Sequence, residues 1–433
     1  MIDRKSVPLL PEQRRFLTRG LPGENHWNQA AVCSIPTWIG ADLLGRAAAV
    51  VCRRHEALRV LLEPGSADVG WISDPASLFE VTDVDLTGES DTRVFARECD
   101  RIQESLDLRA GPLIRLARIG WGRGEARLLI VVHHFLVDGV GLGILIGDLE
   151  QVCIALSRGE PIPSARPAPG AHEFAAWLEQ CAETPAIRAE VDAWERIGRP
   201  VEPVRLDRDA PNTMATTEIV TRSLGAETTR AVMDLVRGKY RGNPTAVLLS
   251  AIGPTIRPSG DALRTNLIGH GRSGLPDQPR VTRTVGWLST RYPVTFEFLP
   301  DRHGIADRAA AIAAQLHEIP NSGAGFGLLR YLSRDAEIRG RLAALGEPDI
   351  TLNIRGGGRG PEPQLFQPAA EPAGESETST GFREHVHGID IASDGGELQL
   401  VWYFSSTQFD RTTIEDYCAE VADRLRSGLV PQR

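Results

Sequence analysis

The sequence predicts a mixed α/β protein built from two lobes. The chain has 433 residues, which is enough for two or three domains. Hydrophobic patterns typical of helices and of strands are mixed along it. A segment with four prolines in fourteen residues, 157–170, divides the chain as a linker does. We therefore expect a first lobe over residues 1–165 and a second lobe over residues 171–433.

The hydrophobic pattern predicts two helices, one buried strand, one hairpin and one long loop. The helices are predicted over residues 42–58 and 410–425, and the buried strand over residues 127–132. The hairpin is predicted over residues 389–405 and the loop over residues 356–381. Asp410 stands where the second helix begins, and its carboxylate is a suitable N-cap. The hairpin is predicted to turn at Asp394-Gly395-Gly396.

Composition argues against several classes of function. The formal charge is −9, from 48 basic and 57 acidic residues, so a general binder of nucleic acid or of anionic membranes is not expected. The N-terminus has no apolar region of a secretion signal, and the longest apolar stretch, residues 30–51, is broken by Pro36, Asp42 and Arg46. The six cysteines form no C-x-x-C pair, which indicates reduced thiols in a cytoplasmic protein.

The most informative stretch is a predicted strand that ends in His133-His134 and is followed by Asp138-Gly139 at the start of a helix. Neighbouring residues of a strand point to opposite faces, so one histidine can face a cleft while the other packs inward. Asp138 can cap the helix or pair with an arginine, and Gly139 permits a backbone geometry or a close approach that a Cβ would block. A core histidine pair beside an ordinary cap is the alternative, because short motifs recur by chance.

The H-H-x3-D-G pattern is similar to the signature of the condensation-domain superfamily of nonribosomal peptide synthesis, which is related to chloramphenicol acetyltransferase. Further segments resemble the family's patterns in the family's order. These are Pro8–Phe16, His26–Gln29, Arg54–Arg59, Phe174–Trp177 with Trp194, and Val285–Thr290. The resemblance implies two acetyltransferase-like lobes set in a V, with a tunnel between them that is open to the phosphopantetheine arms of carrier proteins. It also implies a monomer.

Several segments resemble the epimerisation branch of the family. They are Gly269–Arg272, Thr284–Trp287, Arg291–Val294, Pro320–Tyr331 and Leu352-Asn353. In that branch a glutamate precedes Gly-His-Gly-Arg, and here the position is Ile268. Because isoleucine cannot exchange a proton, a two-base racemisation at Cα would lack one of its bases. We therefore expect an epimerase-like scaffold that performs condensation.

The resemblance implies a standalone condensation enzyme that transfers an acyl group from a carrier protein to an amine or hydroxyl acceptor. Epimerisation of a tethered aminoacyl group and a non-catalytic docking module are the alternatives. No adenylation or carrier segment is expected in the chain, and no cofactor is expected to be bound, because the phosphopantetheine arm comes from the carrier. The expected partners are that carrier and a small-molecule acceptor, without nucleic acid or membrane.

The resemblance assigns roles to the residues of the signature. His134 is expected to be the base, with a rate that rises through the pH region near 6–7 where an ordinary imidazole loses its proton. His133 is expected to pack inward and orient the turn. Asp138 is expected to brace the turn through Arg59 or Arg54.

The other candidate residues carry weaker signals. Gly139 would supply room, and its N–H could face the developing oxyanion. The candidates for the tunnel wall are His270, Arg272, Trp287 and Ser289. His385 and His387 have a spacing that metals use, but no third ligand stands out and no metal is expected. The arginines of the first helix form a basic face that would either be solvated or meet a carrier; they are Arg14, Arg15 and Arg19.

Overall fold

A computed structural model describes residues 6–62, 69–72, 79–164, 168–239, 243–258, 262–300, 302–355 and 365–430. Its strands are β1 Ser6–Pro8, β2 Asn28–Ile35, β3 Val60–Leu62, β4 Val69–Ile72, β5 Phe79–Thr87, β6 Ile114–Gly122, β7 Glu125–His133, β8 Thr217–Ser223, β9 Ala262–Gly269, β10 Thr290–Glu297, β11 Ile350–Ile354, β12 Gln367–Pro368, β13 His387–Asp394 and β14 Glu397–Ser405. Its helices are α1 Pro11–Thr18, α2 Ala41–Arg54, α3 Thr92–Gln103, α4 Gly139–Arg158, α5 Ala171–Ala182, α6 Pro185–Arg188, α7 Val191–Ile197, α8 Ala226–Lys239, α9 Thr245–Ile256, α10 Ile305–His317, α11 Ala324–Gly327, α12 Ala336–Ala343 and α13 Arg411–Leu429.

The described strands form three sheets. A five-stranded sheet in the order β12-β2-β7-β6-β5 and a three-stranded sheet in the order β1-β4-β3 belong mainly to the first half of the chain. A six-stranded sheet in the order β10-β9-β11-β13-β14-β8 belongs to the second half. Helices pack on these sheets and enclose separate hydrophobic cores. The predicted mixed α/β architecture is confirmed, while the boundary between residues 165 and 171 stays a prediction.

The elements predicted from hydrophobic spacing are present, with shifted ends. The two helices are α2, which ends at Arg54 before a short 3-10 turn, and α13, which continues to Leu429. The buried strand is β7, and the hairpin is β13 with β14. Asp410 precedes α13 but does not cap it with its side chain, because its carboxylate accepts a hydrogen bond of 2.7 Å from Arg208 instead.

The segment predicted as a long loop crosses from one half of the molecule to the other. Its residues 356–364 lie outside the described part of the chain. In the remainder, β12 pairs with β2 at Ser34 and Cys33. The backbone N–H of Asn28 also donates a hydrogen bond of 2.7 Å to the carbonyl of Ser376. The second half thus completes the sheet of the first half. A two-residue strand carries no periodicity, which is why the sequence predicted only a loop.

Helix α4 carries the sequence signature into the core. Its 20 residues reach a mean hydropathy of 1.6 over an 18-residue window, and in the described part of the chain it is the one helix long and apolar enough to cross a membrane. Half of that window is buried, and Leu142, Leu145 and Leu149 pack into the first hydrophobic core. A helix that buries one apolar face in this way is typical of the core of a globular protein.

Candidate active site

The signature lies at the end of β7, where the strand passes through a 3-10 turn into α4. The side chain of His133 is fully buried, with Nε2 donating to the Glu24 carbonyl at 2.8 Å and Nδ1 accepting from the Phe135 amide at 3.1 Å. These partners place the proton on Nε2. Burial lowers the pKa of His133 to about 4, so the ring is a neutral structural element of the turn.

His134 occupies the other side of the turn. Its ring packs on the Trp287 indole at a centroid distance of 4.2 Å, and its Nδ1 has no hydrogen-bond partner in the described part of the chain. Burial lowers the pKa of His134 to about 4, although the nearby Asp138 carboxylate acts in the opposite direction. The expected titration near pH 6–7 assumed a hydrated imidazole, and burial moves it to more acid pH. At pH 7 the ring is therefore neutral and able to accept a proton.

Asp138 is the most highly connected side chain of the turn. It caps α4 by accepting from the Gly141 amide at 2.7 Å. Arg272 donates to its two oxygens at 2.8 and 2.9 Å, and the amides of Leu288 and Ser289 donate to Oδ2 at 3.0 Å. Both charged side chains are about 5% exposed. The carboxylate therefore holds the turn of the first half against a segment of the second half.

The arginine predicted for this brace was wrong. Arg54 donates to the Pro163 carbonyl, and the Arg59 guanidinium lies 3.5 Å from Glu56. The end of α2 approaches α4 through His55 instead, whose Nε2 lies 2.8 Å from an oxygen of Asp148. The partner of Asp138 is 134 residues away in sequence, and no local pattern connects the two.

Arg272 is a brace rather than the tunnel-wall residue that we expected. It also donates to the carbonyls of His270 and Thr284 at 3.0 and 3.1 Å. The side chain of His270 is exposed and accepts from the Arg272 amide through Nδ1 at 2.9 Å. Gly271 adopts a φ of +65°, and a Cβ there would lie 1.6 Å from the Leu288 carbonyl oxygen. The Gly269–Arg272 segment thus locks the two halves together beside the signature.

The close approach predicted at Gly139 occurs two residues later. Beyond its chain neighbours and the backbone of its own helix, a Cβ at Gly139 would meet no described heavy atom within 4 Å, and the Gly139 backbone is helical. A Cβ at Gly141 would lie 2.7 Å from Val137 and 3.4 Å from the Gly286 amide. The steric restriction therefore belongs to Gly141, because the first turn of α4 meets the second half of the chain there.

Trp287 and Ser289 lie where the sequence suggested a wall. The Trp287 indole contacts both His134 and Phe16, with ring centroids 4.2 and 5.9 Å apart. The Ser289 amide donates to Asp138. Trp287 and Ser289 both line a cavity beside the turn. They lie close to the signature because the Asp138 carboxylate binds the backbone of the segment that carries them.

The arginines of α1 do not form the basic outer face that the sequence suggested. Arg15 is buried and donates to Glu384, and Arg19 lies 3.6 Å from the same carboxylate. Arg291 donates to Glu384 at 3.3 Å and to His385 Nε2 at 2.9 Å. These cations hold the pKa of Glu384 well below its usual range despite its burial. Arg14 also turns inward, to Glu179 at 2.5 Å.

His385 and His387 do not converge on a common point. His385 Nδ1 donates to the Pro348 carbonyl at 2.8 Å, and His387 Nδ1 accepts from the Trp402 indole at 3.1 Å. The possible ligand atoms of Glu347, Glu384 and His385 lie within 4.8 Å of one another. Three arginines already contact Glu384, so in the described part of the chain this group is an ion-pair cluster rather than a set of metal ligands.

Ile268 faces this same region. It pairs directly with Arg291 across β9 and β10. Residues directly opposite each other in an antiparallel pair share one face of the sheet, so Ile268 lies on the face from which Arg291 reaches Glu384. An aliphatic side chain therefore lies beside Arg291 on this face of the sheet.

Comparison with known proteins agrees with this geometry. The family model described as "Condensation domain" matches residues 3–427. A linear gramicidin synthase of Brevibacillus parabrevis is 32% identical over 97% of this chain, and the match covers 8% of that protein. Tyrocidine synthase 1 of the same organism is 25% identical over 95% of this chain, which covers 39% of that protein. The chain thus spans a small part of the curated relatives.

Solved structures share the fold at lower sequence identity. The epimerization domain from the third module of tyrocidine synthetase B has a TM-score of 0.87 at 24% identity, covering 99% of this chain and 97% of that one. The first condensation domain of the calcium-dependent antibiotic synthetase has a TM-score of 0.74 at 17% identity, covering 98% of each. With the signature in place and nearly the whole chain matched, this protein belongs to the condensation-domain family of nonribosomal peptide synthesis.

Proposed function

We propose that this protein transfers an acyl group from a phosphopantetheinyl thioester to an amine or a hydroxyl, forming an amide or an ester. One observation carries the proposal: the His134 ring packs on Trp287 where the two halves meet, and it is neutral at pH 7. Ile268 supports it, because an isoleucine stands where the resemblance implies the glutamate of an epimerase. Acyl transfer needs one base, and racemisation by two opposed groups needs two.

The His134 imidazole accepts the proton of the attacking nitrogen or oxygen as that atom bonds to the thioester carbon. The carbon–sulfur bond then breaks, and the leaving thiolate takes the proton from the imidazolium. The Asp138 carboxylate favours the charged ring electrostatically, and the Trp287 indole fixes its orientation.

The proposal also fixes what must be delivered to the site. The thioester arrives on the phosphopantetheine arm of a carrier protein, which is the only form in which a cofactor group takes part. The acceptor is a small molecule or a second tethered group. All six cysteines are free thiols, five of them buried, which is compatible with the reducing cytoplasm in which we propose that the protein works as a monomer.

Single-turnover transfer tests the proposal. A carrier preloaded with an acyl group is mixed with the protein and a panel of amines and alcohols, and the acylated product is measured by mass spectrometry. We expect product with the wild type and a strong loss with His134→Ala. Failure to consume the thioester with any acceptor of the pathway contradicts the proposal, and equal turnover by both proteins indicates a docking module.

Epimerisation is the second candidate, because the segments Gly269–Arg272 and Pro320–Tyr331 resemble that branch. The test is the incorporation of deuterium at Cα of a tethered aminoacyl group in D₂O. We expect no more deuterium than in the absence of the protein. Incorporation that depends on His134 would favour epimerisation over acyl transfer.

A further inference from the structure

A cavity lies beside the signature turn, on the other side of the Trp287 indole. It has about 390 Å³ of space between atoms, part of it open to solvent. Its walls are mostly apolar and include Leu10, Phe174, Leu178, Leu275 and Leu328. Trp287 and Ser289 also line it, so the cavity adjoins His134 and Asp138. A mostly apolar lining with a few polar groups is typical of a ligand pocket.

Glu12 is an anomalous member of this lining. It is the second residue of α1 and is 3% exposed. The nearest cation is Arg15, at 3.9 Å, and the Glu12 carboxyl makes no hydrogen bond to any described residue. Burial raises its pKa, and the charges of Arg15 and Arg291 oppose that rise. Buried carboxyls are almost always hydrogen-bonded, so a buried carboxyl without a hydrogen bond is unusual.

The other buried polar side chains of α1 have structural partners. Gln13 accepts from the Leu10 amide at 2.8 Å and donates to the Phe135 carbonyl at 2.7 Å. Arg15 donates to Glu384. Glu12 differs from both, because it makes no hydrogen bond to a described residue and lines the cavity. A substrate group in the cavity is the partner that would satisfy its carboxyl.

We propose that Glu12 determines specificity by accepting a hydrogen bond from a neutral polar group, a hydroxyl or a primary amide, on the side chain of the tethered aminoacyl group. This inference rests on the proposed function, because the thioester of that group would lie at His134. The apolar part of the side chain would contact the leucines and Phe174. Trp287 connects the two places, since the same indole contacts His134 and lines the cavity.

The charges around the cavity favour a neutral substituent. Arg291 lines the cavity, so an ammonium group bound there would lie near its guanidinium group. A carboxylate would face Glu12 itself. Either ion would also lose its hydration without gaining a matched partner. A hydroxyl or an amide supplies the missing hydrogen without adding charge.

Binding to the His134→Ala variant tests the proposal without turnover. The probes are N-acetylcysteamine thioesters in pairs of nearly equal shape: threonine with valine, tyrosine with phenylalanine, and asparagine with leucine. Calorimetry should show the polar member binding about 10- to 100-fold more tightly in at least one pair. Adding Glu12→Leu should abolish or reverse that preference, while Glu12→Gln should retain it.

Stability separates a binding role from a structural one. Glu12→Leu removes a buried carboxyl that has no hydrogen bond, while Arg15 keeps its partner Glu384. The midpoint of urea unfolding should therefore stay unchanged or rise. The matched control is Glu150→Leu, because the equally buried Glu150 accepts from the amides of Leu365 and Phe366 at 2.6 and 2.9 Å. That control should lower the midpoint. If Glu12→Leu lowers it as much, Glu12 is structural and the proposal is overturned.

Two further outcomes overturn the proposal. One is equal binding of both members of every pair, and the other is tighter binding of ornithine or glutamate thioesters than of the neutral polar ones. The result is independent of acyl transfer. A preference that depends on Glu12, in a protein that transfers no acyl group, would keep the binding role and reject the proposed function. Acyl transfer without the preference would keep the proposed function and reject the binding role of Glu12.

Discussion

The signature turn and the cavity beside it differ in how their polar groups are satisfied. In the turn, both nitrogens of His133 and both oxygens of Asp138 have protein partners. By contrast, His134 Nδ1 beside Trp287 and the Glu12 carboxyl in the cavity have no hydrogen-bond partner among the described residues. Satisfied groups fix the backbone, and unsatisfied ones are available to a substrate. The comparison therefore separates residues that hold the site from residues that use it.

Breaking the brace should have the largest effect on stability. Asp138→Ala leaves the buried Arg272 charge and three backbone amides without their acceptor, so we expect a loss of about 3–5 kcal/mol in the free energy of unfolding. Urea denaturation measures it. The control is Asp423→Ala, which removes an exposed ion pair with Arg426 at 2.7 Å and should cost less than about 1 kcal/mol. A stable Asp138→Ala variant with only a kinetic defect would make Asp138 catalytic.

The two histidines should separate stability from activity. His133→Ala opens a cavity next to Phe16 and strands two hydrogen-bonding groups, which should cost about 3 kcal/mol or more. His134→Ala should cost less stability than His133→Ala, because His134 Nδ1 makes no hydrogen bond to a described residue. Denaturation midpoints of the two variants check this. Equal losses would show that His134 is as structural as its neighbour.

Acid should destabilise the protein before the carboxylates are protonated. The pKa values of the fully buried His133 and His387 are lowered to about 4 and about 3. The unfolded chain therefore binds protons first, and stability falls as the pH drops below about 6.5, by up to about 1.4 kcal/mol per pH unit for each group. It should be flat with respect to these groups above that pH. Urea unfolding at pH 7, 6 and 5 measures the slope, and a constant midpoint would contradict it.

The smallest expected effect comes from restoring the missing acid–base group. Ile268→Glu places a carboxylate on β9, on the sheet face that also carries Arg291 of β10. We expect deuterium incorporation at Cα of a tethered aminoacyl group to rise from background to a detectable level, with acyl transfer retained. The matched variant Ile268→Gln should show none, because an amide cannot act as a base. No incorporation by Ile268→Glu would mean that the position does not face the substrate.

The sequence predicted the elements that carry continuous patterns. The apolar run before His133 and the helix after Asp138 identify the turn, because their residues are consecutive. The hairpin and α13 follow from ordinary periodicity. The burial of His134 against Trp287 could not be predicted, and so the shift of its pKa could not be either. Burial depends on packing across the two halves.

Contacts between segments far apart in sequence were the main feature that the sequence did not predict. The sequence predicted Arg59 or Arg54, which lie in the same half as Asp138, whereas Arg272 reaches Asp138 from the other half. The arginines of α1 resembled a solvated face because a short helix without its partner shows only its charges. Glu12 gave no signal in the sequence, because its burial beside the cavity and its lack of a hydrogen-bond partner are seen only in the structure.

The central claim is that a neutral His134 acts as the base of acyl transfer. Single-turnover transfer from a preloaded carrier isolates that step from product release. At pH 7 we expect His134→Ala to be about 10²- to 10⁴-fold slower than the wild type with unchanged carrier binding. The wild-type rate should be level between pH 6 and pH 8 and fall toward pH 4 as the imidazole takes a proton. A variant that transfers at the wild-type rate would contradict the account.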